Sequence, residues 1–343
     1  MYLNPKNIAF YLFEKGLISW EESLAGVQSY IEAGSRSFGF KVEMNCGKQF
    51  FIKQIKNNHD GMSRLLETEA LILQSDSFTD RPTFYLHDKR HGILVSSLVN
   101  NAQNVGEFVK KEGFIILVAT QLGQILKRFH QATFPQISLD NSTKKQPPLV
   151  FYIGTESGRN WIKQRKEPYT IQLVEQISLY PSLTKSIQTI YKDWKSENLI
   201  HGDMKFENCL IQFSDNDQTI QLIDFEEVML GDPLWDVAGI MQSAISVQLQ
   251  QTHFLIFSPF SPFHPLLDDV PLCEFLQEFW KSYESEDSKK LIQFTGLRLI
   301  GRLMEIAQRA DVSYQAKEWL PLAQEMIENP EKYLNLIQPQ FEK

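Results

Sequence analysis

Two polar stretches decide the fold of this chain: His-Gly-Asp-Met-Lys-Phe-Glu-Asn at residues 201–208 and Ile-Asp-Phe-Glu at residues 223–226. Short apolar runs flank them at residues 199–200, 210–211 and 220–223, and these runs predict buried strands. The polar residues 214–217 predict a turn, because Ser, Asp and Asn bond their own backbone there. Each polar stretch therefore lies at the end of a strand, where loops on a rigid scaffold usually carry chemistry.

Asp203, Asn208 and Asp224 have the residue types and the spacing that phosphoryl transfer requires. This reaction needs a carboxylate that orients the attacking hydroxyl, oxygen ligands for magnesium, and cations on the phosphate charge. We predict Asp203 as the catalytic base, Asn208 and Asp224 as magnesium ligands, and Lys205 as a catalytic cation on the transferring phosphate. Purely structural roles are the alternative, but three agreeing spacings disfavour it.

These motifs, with Gly-Asp-Pro-Leu-Trp-Asp at residues 231–236, resemble those of the aminoglycoside phosphotransferase and choline kinase family. The resemblance implies an α+β, two-lobed protein-kinase-like fold, with a small antiparallel-sheet N-terminal lobe and a larger, mostly helical C-terminal lobe. It implies ATP and Mg2+ as cofactors, and transfer of the γ-phosphate to a hydroxyl. It also implies that His201 braces its loop and that Asp232 and Asp236 cap the next helix and pin that loop.

The chain is predicted to have three parts: an N-terminal helical extension at 1–30, a nucleotide-binding N-lobe at 31–99, and a catalytic and acceptor-binding C-lobe at 100–343. In the extension, Ser19-Trp-Glu-Glu22 has the form of a capping box and predicts a helix running toward Tyr30.

The N-lobe offers a glycine-bearing hairpin loop as a phosphate-binding element. Backbone amides between Gly34 and Gly39 could approach phosphates without side-chain hindrance, and Ser35 and Ser37 could add hydroxyl contacts. With only two glycines, a plain hairpin is the alternative.

Lys53 follows three apolar residues, which is the context of the kinase lysine that pairs nucleotide phosphates with a helix glutamate. Lys56 is its rival, but it lies beyond the apolar run. Glu67 and Glu69 lie on a predicted helix, and Glu69 is the predicted partner because Glu-Ala-Leu from residue 69 matches the family's pattern better.

The apolar strand His91–Val99 corresponds, by the resemblance, to the strand that leads into the hinge. Four of its residues are predicted to bond an adenine ring through their backbone: Val95, Ser96, Ser97 and Leu98. A plain core strand is the alternative, and both interpretations can hold.

Bulk properties limit the other functions. A net charge of −8 argues against a nucleic-acid partner. The opening residues predict no signal peptide, and no apolar run reaches the roughly twenty residues of a membrane span. The three cysteines lack metal-ligand spacing, and we predict reduced thiols in a cytoplasmic protein. Nothing in the sequence indicates an oligomeric state.

Three hypotheses about the function remain open. The resemblance favours a small-molecule hydroxyl, of an aminoglycoside, amino alcohol or sugar. Asp-Met-Lys-Phe-Glu-Asn at 203–208 mirrors the Asp-Leu-Lys-Pro-Glu-Asn of protein kinases, so a second hypothesis is a Ser/Thr peptide, such as a precursor peptide later dehydrated by a lyase. A pseudokinase or nucleotide-binding module is the third, although all the ionic residues that transfer requires are present.

Overall fold

The structure is a computed structural model that describes residues 2–33, 38–55, 60–134, 137, 147–214, 217–252 and 269–338. The chain divides into two compact units. The first unit contains Met1–Gln103, Ala132–Ile137 and Leu210–Val228, and the second contains Asn104–Gln131, Ser138–Cys209 and Met229–Lys343. The domain boundaries given above stay a prediction.

The first unit is built on an antiparallel sheet with strand order β1-β2-β3-β5-β4. Its strands are β1 (Val27–Ala33), β2 (Phe38–Met44), β3 (Gln49–Gln54), β4 (Phe84–Asp88) and β5 (Ile93–Ser97). Its helices are α1 (Ile8–Glu14), α2 (Trp20–Ala25) and α3 (Asp60–Gln74). A second sheet has the order β6-β8-β9, from β6 (Ala102–Asn104), β8 (Cys209–Ser214) and β9 (Asp217–Leu222).

The N-terminal segment packs onto one face of the five-stranded sheet. Buried apolar side chains from both form one core: Leu3, Ile8, Tyr11, Leu12 and Ile18 with Phe40, Val42, Met44, Phe50, Ile52, Ile93 and Val95. The amide of Leu3 also donates to Gln54 Oε1 at 2.8 Å, which joins the start of the chain to the end of β3.

The capping box predicted at Ser19 is confirmed, since its side chain accepts from the amide of Glu22 while the Glu22 side chain accepts from the amide of Ser19. The predicted helix toward Tyr30 is wrong in length. It ends at Ala25, because Gly26 has φ +80° and the chain continues as a strand that pairs with β2.

The second unit is mostly helical. Its helices are α4 (Val105–Glu112), α5 (Ile116–Gln131), α6 (Glu156–Lys163), α7 (Pro168–Ser178), α8 (Pro181–Lys192), α9 (Leu234–Thr252), α10 (Val270–Tyr283), α11 (Ser288–Ala307) and α12 (Ser313–Glu328). Two short strands, β7 (Asn198–Ile200) and β10 (Met229–Gly231), pair antiparallel. The motif loop follows β7 in the chain, and α9 follows β10. Among the described residues, none of the helices combines the length and hydrophobicity that a bilayer span requires.

The core of the second unit lies along α9 and α11, which pack against each other. Trp235 of α9 and Phe294 of α11 meet edge to face, with ring centroids 5.8 Å apart. Phe151 and Trp194 complete this aromatic cluster. This packing holds α9 and α11 together beneath the loop that carries the first motif.

Candidate active site

In the first unit, Lys53 of β3 forms an ion pair with Glu69 of α3. Side chains alternate along a strand, so Ile52 enters the core under the N-terminal helices while Lys53 faces the opposite side of the sheet. Its Nζ lies 2.9 Å and 2.8 Å from the two carboxylate oxygens of Glu69. Glu67, the other candidate, pairs with Lys89 instead. The structure therefore brings Lys53 together with Glu69.

Asp224 follows β9 and contacts the same lysine, with its Oδ1 2.5 Å from Lys53 Nζ. Its backbone has φ +68° and ψ +55°, the left-handed region that residues other than glycine rarely adopt. Phe225, next in the chain, is buried and packs edge-on against Phe78 with ring centroids 6.4 Å apart. Such backbone outliers cluster at functional sites, where the surrounding structure supports them.

Glu226 adds a third carboxylate around Lys53. The acidic oxygens of Glu69, Asp224 and Glu226 lie within 4.8 Å of one another, and Glu226 Oε2 lies 4.0 Å from Lys53 Nζ. Burial alone would lower the pKa of Lys53, but attraction by the three carboxylates outweighs burial and raises that pKa. Burial and repulsion by Asp224 raise the pKa of Glu226 to about 7. One lysine faces three carboxylates, so a further cation would reduce the repulsion among them.

In the second unit, the motif loop holds its aspartate close to two of the other predicted site residues. Lys205 Nζ lies 2.7 Å from Asp203 Oδ2. Asn208 donates from Nδ2 to the backbone carbonyl of Asp203 at 2.7 Å and to its Oδ2 at 3.3 Å. A short 3₁₀ helix over Phe206–Asn208 brings Asn208 back toward Asp203. The loop thus fixes the orientation of one carboxylate with a cation and an amide.

Asp236 of α9 pins this loop by its backbone. Its Oδ2 accepts from the amide of His201 at 2.6 Å, and its Oδ1 accepts from the amide of Gly202 at 3.0 Å. Gly202 has φ +82°, a conformation that favours glycine. The predicted pinning role of Asp236 is confirmed. The predicted bracing by His201 fits its ring, which is fully buried and meets Phe129 edge to face at 6.2 Å.

Behind Asp236 lies a histidine whose role the sequence pattern does not reveal, since it only marks the end of a helix. His130 Nε2 donates to Asp236 Oδ2 at 3.0 Å, and its Nδ1 lies 2.9 Å from the hydroxyl of Tyr283. Burial alone would raise the pKa of Asp236, but the hydrogen bond and charge of His130 lower it. The carboxylate that pins the loop is therefore kept ionised by a partner on α5.

Asp232 has two contacts at the N-terminus of α9. Its Oδ1 accepts from the amide of Leu234 at 3.1 Å, which is the predicted cap, and its Oδ2 pairs with Lys290 of α11 at 2.5 Å.

The predicted phosphate-binding hairpin is only partly visible. Gly34, Ser35 and Ser37 lie outside the described residues. Gly39 is described, and it lies within β2, directly opposite Lys53 of β3. The nucleotide contacts of all four residues stay a prediction.

The residues predicted to bond adenine lie in or just after β5. This strand has β3 on one edge and β4 on the other, and Val95 and Ser96 pair with both neighbours. Their backbone groups therefore belong to the sheet. The amide of Ser97 donates to the carbonyl of Thr83 at 2.8 Å. Of the four, only Leu98 lies beyond the strand, and the adenine contacts stay a prediction.

Sequence patterns did not assign a role to Arg302 of α11. Its Nη2 lies 3.0 Å from Glu207, in the motif loop, and its Nη1 lies 2.9 Å from Glu305. Burial alone would lower the pKa of Arg302, but attraction by Glu207, Glu305 and Asp203 raises it. The only signal in the sequence is the pairing of Arg302 with Glu305 three residues later on a helix.

Comparison with known proteins gives a family match for the part of the chain that carries both motifs. Residues 117–255, which contain both motifs, match the model of the family described as the phosphotransferase enzyme family. This match, which covers residues 117–255, confirms the resemblance stated from the sequence. No curated protein matches the chain at a significant level.

Solved structures similar to this chain share its fold at low sequence identity. Choline kinase LicA from Streptococcus pneumoniae has a TM-score of 0.56 and 16% identity, covering 94% of this chain and 99% of that one. Spectinomycin phosphotransferase APH(9)-Ia, in complex with ADP and spectinomycin, has a TM-score of 0.56 and 14% identity, covering 97% and 100%. Plasmodium vivax ethanolamine kinase has a TM-score of 0.56 and 10% identity, covering 95% and 89%. The predicted α+β, protein-kinase-like fold is confirmed.

Proposed function

We propose that this protein transfers the γ-phosphate of ATP, in the presence of Mg2+, to a hydroxyl of a small-molecule acceptor. The observation that carries the proposal is the held carboxylate of Asp203, contacted by Lys205 and Asn208 within one loop. Asp203 orients the acceptor hydroxyl and accepts its proton. Lys205, which already contacts that carboxylate, stabilises the negative charge of the transferring phosphoryl group.

Lys53 is the proposed ligand of the nucleotide phosphates. Its ammonium is charged and forms an ion pair with Glu69, which fixes the position of Nζ. Of the residues predicted to bond adenine through their backbone, Leu98 is the proposed partner, because it lies beyond β5. The proposed phosphate contacts are those of Gly34, Ser35, Ser37 and Gly39.

Asn208 and Asp224 are the proposed magnesium ligands. The donor set fits this ion, because Mg2+ takes hard oxygen ligands and the carboxylates of Glu69, Asp224 and Glu226 lie within 4.8 Å of one another. Asn208 uses its Nδ2 for Asp203. Its Oδ1 accepts no hydrogen bond from any residue that the structure describes. When bound, Mg2+ would neutralise phosphate charge.

The acceptor is proposed to be a hydroxyl-bearing small molecule, such as an aminoglycoside, amino alcohol or sugar. The choline kinase, ethanolamine kinase and spectinomycin phosphotransferase that share the fold are named for acceptors of this kind. A peptide Ser/Thr hydroxyl is the second candidate, because the contact of Lys205 with Asp203 gives a structural meaning to the Asp-x-Lys pattern of protein kinases.

Phosphate transfer from labelled ATP with Mg2+ tests the proposal. The acceptor panel contains aminoglycosides, amino alcohols and sugars, together with Ser/Thr-rich peptides encoded beside the gene. Asp203→Asn should lose nearly all turnover while ATP binding, measured by calorimetry, stays intact. Asp193→Asn is the matched control, since it makes the same change at an exposed position of the second unit.

Transfer to a small molecule that is lost in Asp203→Asn and kept in Asp193→Asn would establish the activity and the base together. Transfer to a peptide alone would replace the small-molecule proposal by the second candidate. ATP binding without transfer to either set would favour a pseudokinase or nucleotide-binding module.

A further inference from the structure

We propose that Arg298 of α11 is a positioning residue, which holds the Asp203 loop in its reactive shape by bonding the carbonyl of Met204. This role rests on the proposed function, because it concerns the loop that carries the proposed base. Arg298 is about ninety residues away along the chain and lies outside both sequence motifs.

Arg298 points from α11 into the interior of the second unit. Only 8% of its surface is exposed. Its Nη2 donates to the backbone carbonyl of Met204. Met204 lies between Asp203 and Lys205 in the chain. Its guanidinium lies over the ring of Trp235, 5.1 Å from the centroid. The buried charge is therefore directed at the loop backbone.

The other contacts of Arg298 do not account for a buried cation. Within the described residues, no carboxylate lies at ion-pair distance from it, and its Nε makes no hydrogen bond. Burying a charge destabilises a protein unless the charge is paired or bonded. An apolar side chain would fill the same space at lower cost in stability. The hydrogen bond to the Met204 carbonyl explains why an arginine, and not an apolar residue, occupies this position.

The surface of α9 beneath the loop explains why the partner of Met204 comes from another helix. Asp236, Gly239 and Ser243 lie on one face of α9, spaced by three and four residues. Asp236 bonds the amides of His201 and Gly202, and Ser243 Oγ accepts from the amide of Phe206 at 3.2 Å.

Between these two anchors, the position of α9 that faces the loop is Gly239, which has no side chain. A Cβ at Gly239 would lie 2.1 Å from the Met204 carbonyl oxygen and 2.8 Å from Arg298 Nη2. Gly239 thus lets the loop approach α9 closely and leaves room for Arg298. Met204 is the middle of the loop, and the only side chain bonded to its carbonyl among the described residues is Arg298.

Rotation of the peptide that Arg298 holds would move both Asp203 and Lys205. Loss of alignment by about 1 Å can reduce a rate by about 100-fold, even when the mutated residue is far from the reaction. Arg298 therefore affects turnover through the orientation of the loop, and it does not contact a reactant itself.

The test compares the 343-residue chain with three variants at this position. Arg298→Met keeps length without the donor, Arg298→Lys keeps the charge without the fork, and Arg298→Ala leaves space for added ethylguanidinium. Arg165→Met is the matched control, since it makes the same replacement at an exposed arginine of the second unit. Two readouts are measured: kcat and KM with the acceptor found in the screen, and amide hydrogen exchange of the peptide covering residues 199–206.

We expect Arg298→Met to lower kcat by about 100-fold with little change in KM for ATP. Exchange at residues 199–206 should become faster, while Arg165→Met changes neither readout. Ethylguanidinium, but not ethylammonium, should restore part of the turnover of Arg298→Ala. An Arg298→Met variant with normal kcat and normal exchange would overturn the proposal. Equal losses in kcat, ATP binding and stability without rescue would also overturn it, since they indicate a purely structural role.

The two proposals can fail separately. Without phosphate transfer by the wild-type chain, the proposed function fails, whereas faster exchange at residues 199–206 in Arg298→Met still supports the positioning role. Unchanged exchange in that case would overturn it.

Discussion

Lys205 Nζ and Asp203 Oδ2 lie 2.7 Å apart, so the proposed base forms an ion pair with a cation two residues further along the same loop. Their side chains are 21% and 20% exposed, which leaves both groups accessible to reactants. The pair orients the carboxylate and, under the proposed function, brings a positive charge to the position where phosphate charge would develop. This double role makes Lys205 a more informative target than a surface lysine.

Lys205→Met is expected to lower kcat by about 100-fold to 1,000-fold, because a preorganised charge is removed from the reacting groups. ATP affinity should change much less, since Lys53 is the proposed phosphate ligand. Steady-state kinetics and ATP titration measure both effects. Lys195→Met, at an exposed position of the same unit, is the control. Wild-type kcat in Lys205→Met would contradict the role given to this lysine.

Glu69→Gln is expected to weaken ATP binding and to destabilise the fold by about 3 kcal/mol, because it leaves the buried Lys53 without one carboxylate partner. Glu67→Gln, two residues earlier on the same helix, removes only an exposed pair with Lys89 and should cost less than about 1 kcal/mol. Urea unfolding and ATP titration of both variants check the contrast. Similar losses of unfolding free energy and ATP affinity in the two variants would mean that the buried ion pair contributes no more than the exposed one.

The sequence could predict the elements of the site that depend on local pattern. The capping box at Ser19 and the strands around the motif follow from spacing, whereas the choice of Glu69 over Glu67 rests on the resemblance to the family's Glu-Ala pattern. The end of α2 could not be predicted from the sequence. The residues after Gly26 suit a helix or a strand, and only their pairing with β2 decides between the two.

Other features depend on tertiary partners that no local pattern reports. Val95 and Ser96 are predicted to bond adenine through their backbone, but both residues pair with β3 on one side and β4 on the other. The burial of Arg298 could not be predicted from the sequence, because its partner Met204 is distant along the chain. The neighbour of a buried arginine is set by how helices pack, which periodicity alone does not define.

Glu226 should make stability depend on pH. Its folded pKa of about 7 lies above its ordinary value of 4.5, because burial and Asp224 disfavour its charge. The folded state therefore holds this proton more tightly than the unfolded state. The contribution stabilises the protein below pH 4.5 and is lost as pH rises to about 7, by at most about 3 kcal/mol. The charged groups that act on Glu226 are Asp224, Lys53, Glu69 and Glu227.

Urea unfolding of the wild type and Glu226→Gln in EDTA, between pH 4.5 and 8, measures this effect. The difference in unfolding free energy should change in favour of Glu226→Gln as pH rises, because glutamine has no proton to lose. The difference should be constant above about pH 7.5. A difference that is independent of pH throughout would show that Glu226 titrates normally.

Gly239→Ala tests the close approach of α9 to the Asp203 loop. The added Cβ would lie 2.1 Å from the Met204 carbonyl oxygen, which is backbone and cannot rotate away. Alanine is otherwise the better helix former by about 1 kcal/mol, so the variant opposes propensity with a steric clash. We expect the clash to win, with a loss of about 1–3 kcal/mol in unfolding free energy and a lower kcat. Gly301→Ala is the matched control, because a Cβ there meets nothing within 4 Å and the same propensity should stabilise α11. If both variants gain stability and keep kcat, the loop can move away from α9 without loss, and its shape is not what limits the reaction.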